Sequence, residues 1–111
     1  GDLPFWLAPE QIRILPVTAA ALTAAQRLAT RLCSHGVRAA VASSGERLGK
    51  LIRNGETQKI PVLGILGQQE MEADSVSLRT RRQGDLGPMA QARLVKLARE
   101  AVAGRRATLV P

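Results

Sequence analysis

The pattern of hydrophobic and polar positions is most distinctive at mid-chain, where Ile60 to Gly67 is apolar almost throughout and carries no charge. A short continuous apolar run between turn signals is typical of a strand covered on both faces. Lys59 precedes this run and Gly67 closes it. We therefore predict a central strand here, with helices above and below it.

Helical spacing of apolar residues predicts a first long helix before this strand. It runs from Ala19 to about Ser34, with Thr18 as its N-cap and Gly36 as its stop signal. Its apolar stripe consists of Leu22, Ala25, Leu28, Ala29 and Leu32. That stripe is expected to face the core.

A second helix is predicted directly before the central strand. Ser43 and Glu46 form a capping-box pattern at its start, and Asn54-Gly55 is expected to end it. Its core-facing positions are Leu48, Leu51 and Ile52. Gly49 in the middle of this helix costs about 1 kcal/mol relative to alanine. We therefore expect a close approach to the helix at Gly49.

The remaining segments predict strands and connections. Residues with high β propensity indicate a strand at residues 11–17, and alternating apolar residues indicate strands at 37–42 and 75–81. Gly67–Asp74 is expected to be a polar turn that carries Glu70, and residues 83–87 a loop.

A third helix is expected to start near Pro88 and to end at about Ala103, because proline favours a first helical position and Gly104 follows. The predicted order is β-α-β-α-β-β-α, an α/β fold with some antiparallel pairing late in the chain. Residues 1–111 are expected to form one domain, with a lead-in at 1–10 and a mobile tail at 105–111.

The balance of charged residues indicates what kind of partner the protein binds. The chain has 16 Lys and Arg against 9 Asp and Glu, a formal net charge of +7 over 111 residues. Such an excess favours a polyanionic partner, nucleic acid first and an acidic membrane surface second. Arginines that only solubilise the surface are the plain alternative.

Compartment and cofactors follow from what the composition lacks. The single cysteine, Cys33, excludes an internal disulfide, and with only His35 beside it there is no metal-binding set. No run approaches the roughly 20 apolar residues of a membrane span. We therefore expect a cytoplasmic protein without a membrane partner. The opening residues suggest a piece cut from something longer.

No catalytic constellation is found among the candidate residues. Ser43-Ser44 lacks a positioned histidine, and Gly45 with Gly49 does not make a phosphate-binding loop. Glu70 and Glu72 are expected to be a solvated pair in a turn. What remains is a basic rim around the central strand with one acidic residue, Glu70. The rim comprises Arg47, Lys50, Arg53, Lys59, Arg79, Arg81 and Arg82.

Glu70 and Arg79 could lie side by side across the predicted turn, and this arrangement has a chemical use. Unpaired RNA bases are read by stacking and by hydrogen bonds to their edges. A guanidinium can grip a guanine edge, and a carboxylate accepts from amino or imino groups. A surface ion pair worth about 0 to 1 kcal/mol is the equally weighted alternative. The base-reading interpretation requires both groups at a single sheet edge, open to an RNA loop.

Several motifs, in order over roughly residues 4–103, resemble the C-terminal anticodon-binding domain of threonyl-tRNA synthetases. They are Trp6-Leu7-Ala8-Pro9-Glu10-Gln11-Ile12, Glu46-Arg47-Leu48-Gly49, Ile52-Arg53, Lys59-Ile60-Pro61, Gly67-Gln68-Gln69-Glu70, Val76-Ser77-Leu78-Arg79-Thr80-Arg81-Arg82 and Gly84-Asp85-Leu86-Gly87. The resemblance implies a sheet of about five strands with three helices.

The resemblance also implies a function, which is binding of the anticodon loop of threonine tRNA and reading of its middle guanine and third uracil. It implies base reading by Glu70 and Arg79, and loop contacts by Arg47, Arg53 and Lys59. It implies no catalytic residue and no cofactor in this fragment. ATP, zinc and the catalytic domain belong to the rest of the parent ligase, which is expected to be a homodimer.

Three positions depart from the family pattern. Gly45 stands where many relatives carry asparagine, Leu51 where lysine is frequent, and Val62 where tyrosine is frequent. These departures predict lower affinity, or a loop held by different arginines, with the same bases read if Glu70 and Arg79 act as expected.

Two other function classes stay open. A non-catalytic accessory module of the same fold would use Phe5 and Trp6, the only aromatic residues, as an exposed protein-binding anchor. A small-molecule α/β enzyme is the third reading, and no nucleophile–base pair supports it.

Overall fold

The computed structural model describes residues 2–42 and 45–111. The strands are β1 (Ile12–Pro16), β2 (Ala39–Val41), β3 (Val62–Leu66), β4 (Ser75–Thr80) and β5 (Gly84–Ala90). The helices are α1 (Leu22–Ser34), α2 (Leu48–Thr57), α3 (Gln68–Glu72) and α4 (Gln91–Ala103). Single 3₁₀ turns occupy Phe5–Leu7 and Ala19–Ala21.

The five strands form one mixed sheet in the order β2-β1-β3-β4-β5. Strand β1 pairs in parallel with β2 and β3, whereas β4 runs antiparallel to both β3 and β5. The central position of β3 confirms the strand predicted from the apolar run. The predicted fold class, a mixed sheet with three longer helices, is confirmed.

The two faces of the sheet are covered by different helices. Helices α1 and α4 pack on one face and form the larger core with β1, β3 and β4. Its sheet residues are Ile12, Ile14, Val62, Leu66, Val76 and Leu78, and its helix residues include Leu28, Leu32, Leu94 and Leu97. On the other face, α2 contributes Leu51 to a smaller cluster with Leu15, Ile60 and Leu63.

Helix α1 begins and ends close to the predicted signals. The hydroxyl oxygen of Thr18 accepts a hydrogen bond from the Ala21 N–H at 3.3 Å, and it caps the short 3₁₀ turn that leads into α1. At the other end, Gly36 has a φ of +80°. The Val37 N–H then reaches back to the Leu32 carbonyl at 3.1 Å, which closes a Schellman motif.

Helix α2 departs from its predicted boundaries at both ends. It begins at Leu48 without a side-chain cap, and the predicted cap Ser43 lies outside the described residues. The helix continues through Gly55 to Thr57, and Gly55 packs against Leu63 instead of ending the helix. A Cβ at Gly55 would lie 2.6 Å from Leu63 Cδ2, whereas nothing lies within 4 Å of a Cβ at Gly49. No described part of the protein approaches Gly49 closely, and the close contact of α2 with the sheet is at Gly55.

The expected loop at 83–87 and the helix start near Pro88 are wrong, because this segment is the fifth strand. Strand β5 lies at the edge of the sheet, where proline is tolerated since its missing N–H can face outward. Pro88 lies opposite Ser77 of β4, and the pairing register shifts between Leu78 and Arg79. Helix α4 follows from Gln91 and ends at Ala103 as expected.

The tail expected to be mobile is packed against the start of the chain. Phe5 and Leu109 are each 1% exposed. The Phe5 N–H donates to the Ala107 carbonyl at 2.8 Å, and the Gln83 side-chain amide donates to the Val110 carbonyl at 2.8 Å. Because Phe5 is buried, only Trp6, which is half-buried, remains as the aromatic residue that a protein-binding accessory module would use.

Candidate nucleic-acid interface

Glu70 lies on a one-turn helix, α3, and not in the polar turn that the sequence predicted. Gly67 is the N-cap residue of this helix, so Glu70 occupies its third position. Glu70 Oε1 accepts a hydrogen bond from the Gly67 N–H at 2.8 Å. This is the glutamate half of a capping box, since glycine has no side chain to supply the other half.

The second oxygen of Glu70 is also held by the protein. Oε2 accepts a hydrogen bond from the Ser77 hydroxyl of β4 at 3.2 Å. A carboxylate offers about four acceptor positions, so these two bonds leave about half of them open. The side chain is half-buried, and its orientation is fixed by α3 and β4 together.

Arg79 lies on the same face of the sheet as Glu70. Residues two apart on a strand share a face at a spacing of about 7 Å, and Arg79 follows Ser77 by two positions. The opposing face of β4 carries Val76 and Leu78, both fully buried. The two predicted base-reading residues therefore lie on the same face of the sheet, which α2 partly covers.

The guanidinium of Arg79 is exposed and is not used by the surrounding protein. No hydrogen bond or ion pair within residues 2–42 and 45–111 involves its side chain. Asp85 lies opposite on β5, but its carboxylate accepts from the Gly87 N–H at 2.8 Å. The alternative of a Glu70–Arg79 ion pair is therefore not found.

Arg79 borders a surface pocket of about 240 Å³ between α2, β4 and β5. Its apolar floor is formed by Ile60 and Leu63, both of the smaller core. Charged groups at its wall include Glu56, Arg81 and Asp85. A pocket of this kind beside a free guanidinium can receive a planar group, and the guanidinium can hydrogen-bond its edge.

The other three predicted contact residues follow the length of α2. Arg47 is the N-cap residue, Arg53 is exposed within the helix, and Lys59 lies just beyond its last turn. A ten-residue helix is about 15 Å long, so Arg47 and Lys59 lie at opposite ends of it. None of the three side chains forms an ion pair among the residues whose positions are described.

Lys59 has an unusual backbone conformation, with a φ of +59°. Its N–H donates to the Glu56 carbonyl at 3.1 Å, and the Ile60 N–H donates to the Gly55 carbonyl at 3.0 Å. This is a Schellman motif with lysine at the left-handed position that usually carries glycine. Lys59 therefore ends α2, and β3 starts three residues later, at Val62.

The expected clustering at a single sheet edge is only partly observed. Arg47 borders a pocket with Pro16 and Val17 at the carboxyl end of β1, and Glu70 follows β3 at that same end. Arg79 pairs with Leu63 nearer the amino end of β3. The five residues thus share one face of the sheet and are distributed along it.

The remaining members of the basic rim differ in how much of their charge is already used. Arg81 binds the Asp2 carboxylate at 2.9 Å and the Glu56 carbonyl at 2.9 Å, so it ties the lead-in to α2. Lys50 pairs with Glu46 at 3.6 Å. The sequence analysis did not identify Ser77 as a partner of Glu70, although the alternation of residues along the predicted strand placed Ser77 and Arg79 on one face.

The part of the chain that the structure describes contains no group of three or more His, Cys, Asp or Glu side chains that could hold a metal ion. None of its helices is long and apolar enough to cross a membrane.

The sequence is similar to stretches of threonine–tRNA ligases. It is 52% identical over 109 residues to the ligase of a Synechococcus species, covering 98% of this chain and 18% of the relative. It is 53% identical over 103 residues to the ligase of Thermosynechococcus vestitus, covering 93% and 17%. The chain therefore spans less than a fifth of the length of these relatives.

Solved structures show the same fold. The RNA binding domain of threonyl-tRNA synthetase from Cryptosporidium parvum superposes with a TM-score of 0.81 at 24% identity, covering 86% of this chain and 24% of that one. Histidyl-tRNA synthetase from a Nostoc species gives 0.75 at 21% identity, covering 80% and 21%. The family model described as "Anticodon binding domain" matches residues 11–101. The chain therefore belongs to the anticodon binding domain family.

Proposed function

We propose that this chain is the anticodon-recognition domain of a threonine–tRNA ligase and that it binds the anticodon loop of threonine tRNA. The observation that carries the proposal is the identity of 52% with such a ligase over 98% of the chain. ATP-dependent aminoacylation, the catalytic domain, zinc and dimer contacts then belong to the rest of a cytoplasmic parent enzyme. The chain supplies affinity and base choice.

Base reading is assigned to Glu70 and Arg79. The free fork of Arg79 can donate two parallel hydrogen bonds to the O6 and N7 atoms of the middle guanine. The open acceptor positions of Glu70 can receive an imino or amino hydrogen of a neighbouring base. Because Gly67 and Ser77 fix the carboxylate, little side-chain entropy is lost when a base binds.

Arg47, Arg53 and Lys59 are assigned to the phosphate backbone of the loop. Their positions at the start of α2, within it and just beyond its end let each exposed cation meet a different phosphate of the loop. Contacts of this type position the RNA without distinguishing its bases.

The test compares Arg79→Ala and Arg79→Lys in the 111-residue chain. Fluorescence anisotropy would measure binding to an anticodon stem-loop of threonine tRNA and to a version with the middle guanine replaced. We expect the alanine variant to lose about 1 to 3 kcal/mol of discrimination, as expected for a bidentate guanine contact. Lysine keeps the charge but not the fork, so it should keep affinity better than discrimination.

A Lys59→Gly variant provides the matched backbone test. Glycine suits the left-handed position, so the lysine charge is removed without strain at the helix end. We expect weaker binding to both RNAs alike and a salt slope lower by about 0.7. Unchanged binding and unchanged discrimination in the Arg79 variants would refute the proposed function.

A further inference from the structure

The net positive charge of the domain is concentrated on the face of the sheet opposite α2. We define the helix layer as residues 22–35 and 91–106, which comprise α1, α4 and their closing turns. It contains 7 of the 16 basic residues and only one of the 9 acidic ones, Glu100, and so holds six of the seven net charges. The basic residues are Arg27, Arg31, Arg93, Lys96, Arg99, Arg105 and Arg106.

Six of these seven side chains are exposed, and Arg106 alone is half-buried. The ion pairs found in residues 2–42 and 45–111 join Arg13 to Glu10, Lys50 to Glu46 and Arg81 to Asp2, so all of them lie outside the helix layer. The guanidinium of Arg105 lies 5.5 Å from the ring centre of Trp6, a cation–π contact that leaves its charge unneutralised.

The spacing of these cations makes them neighbours. Arg27 and Arg31 are four residues apart on α1, and Arg93, Lys96 and Arg99 follow each other at intervals of three on α4. Both intervals place side chains next to each other on a helix surface. Because α1 and α4 pack into one shared core, the two rows belong to one surface.

These cations have opposing effects on helix stability. Arg31 lies in the last turn of α1, where a positive charge suits the helix dipole. Arg93 lies in the first turn of α4, at the positive end of the dipole, and that turn contains no acidic residue. Like charges at these intervals also repel each other. Because the set has no ion-pair partner among the described residues, it is suited to a polyanion.

The composition of the surface indicates the class of that polyanion. Five of the six exposed cations are arginines, whose planar fork matches phosphate oxygens in a bidentate manner. The large hydrophobic residues that are exposed within the described ranges, Leu3, Leu7 and Val17, all lie outside the helix layer. Neither the apolar face that inserts into a membrane nor the apolar core of a protein interface is therefore present.

We propose that the helix layer binds the phosphodiester backbone of RNA without reading its bases, as a second surface distinct from the anticodon-reading face. The loop that contacts α2 cannot also lie across the opposite face of the sheet. The occupant is therefore another stretch of the same tRNA, outside the anticodon loop. This choice of occupant rests on the proposed function, and binding of a separate RNA is an outcome that the experiment distinguishes.

The experiment compares Arg93→Gln/Arg99→Gln with two controls. Arg47→Gln/Arg53→Gln removes the same charge at α2, and Arg93→Lys/Arg99→Lys keeps the charge of the helix layer. Binding is measured against salt concentration for three probes: the anticodon stem-loop, the whole threonine tRNA and an unrelated duplex RNA. Circular dichroism melts check that each variant folds. The Arg93→Gln/Arg99→Gln chain should bind whole tRNA with a salt slope lower by about 1.4 to 1.8, as expected for two lost phosphate contacts.

The ratio of affinities for correct and altered anticodons should be unchanged in this variant, and the lysine pair should retain most of the slope. Loss limited to whole tRNA supports the proposal, whereas an equal loss with duplex RNA would overturn the choice of occupant in favour of RNA of any sequence. Wild-type slope and affinity with whole tRNA and with duplex RNA would overturn the proposal and favour a protein partner. That result would leave the Arg79 test of anticodon reading unaffected.

Discussion

Glu70 is the residue at which fold stability and the proposed recognition use the same atoms. Its carboxylate caps α3 through the Gly67 N–H and joins β4 through the Ser77 hydroxyl. Reading a base then depends on the acceptor positions that these two bonds leave free. The spacing from Gly67 to Glu70 was visible in the sequence, but a capping box is recognised by serine or threonine at its start, so the glycine concealed it.

Two substitutions at Glu70 separate these roles. Glu70→Gln keeps a carbonyl acceptor for the Gly67 N–H, so we expect its unfolding free energy to stay within about 0.5 kcal/mol of the wild type. Glu70→Ala loses the cap and should cost about 1 kcal/mol. Both should lose base discrimination, because neither keeps the carboxylate. Urea denaturation and stem-loop binding are the measurements, and full discrimination by Glu70→Gln would reduce the residue to its capping role.

At the scale of elements, the sequence predicted β1, α1, β3, β4 and the end of α4 because each has strong periodicity and a stop signal. It failed at β5, where Gly84, Gly87 and Pro88 are all typical turn residues. Two positive φ angles, a register shift and an edge position accommodate them in a strand. That tolerance depends on where the strand lies in the sheet, which local pattern does not encode.

Replacing each of the two glycines of α2 by alanine is expected to change the stability of the chain in opposite directions. Gly49→Ala adds a methyl group to open space and should stabilise the chain by about 0.5 kcal/mol. Gly55→Ala would place its Cβ 2.6 Å from Leu63 Cδ2 in the smaller core. Overpacking costs about 1 to 3 kcal/mol, which outweighs the gain in helix propensity of about 1.

The comparison is made by urea denaturation of both variants with the wild type. We expect Gly55→Ala to be destabilised by about 1 kcal/mol after the gain in helix propensity is subtracted. Equal stabilisation by both substitutions would show that Leu63 moves aside freely, and the close helix–strand contact would then have no energetic weight.

At the scale of the whole molecule, the sequence predicted an α/β sheet protein with a polyanionic partner, but not where the charge lies or how the chain ends pack. The motifs around β3 predicted that the basic rim binds the partner, whereas α1 and α4 hold most of the surplus positive charge. Only the fold places those two helices on one face. Leu109 belongs to a basic segment that ends in proline. It is buried in the core cluster that also contains Phe5, a residue distant along the chain.

Leucine-to-alanine substitutions test how the chain ends pack. Leu109→Ala removes a side chain that is 1% exposed and should cost about 2 to 5 kcal/mol. The matched control, Leu3→Ala, changes a side chain that is 49% exposed and should stay within about 0.5 kcal/mol of the wild type. Thermal unfolding measures both, and a Leu109→Ala chain as stable as the control would restore the view of a mobile tail.

The division of the interior into a larger and a smaller core affects how the protein can change over evolutionary time. Helix α2, which carries Arg53 and is flanked by Arg47 and Lys59, packs into a cluster of four buried residues, one of them its own Leu51. The larger core, on the opposite face of the sheet, contains 18 buried residues among those described. Substitutions on α2, such as leucine at position 51, therefore need compensation only within the smaller core. The residues that contact the RNA can then change while the larger core stays the same.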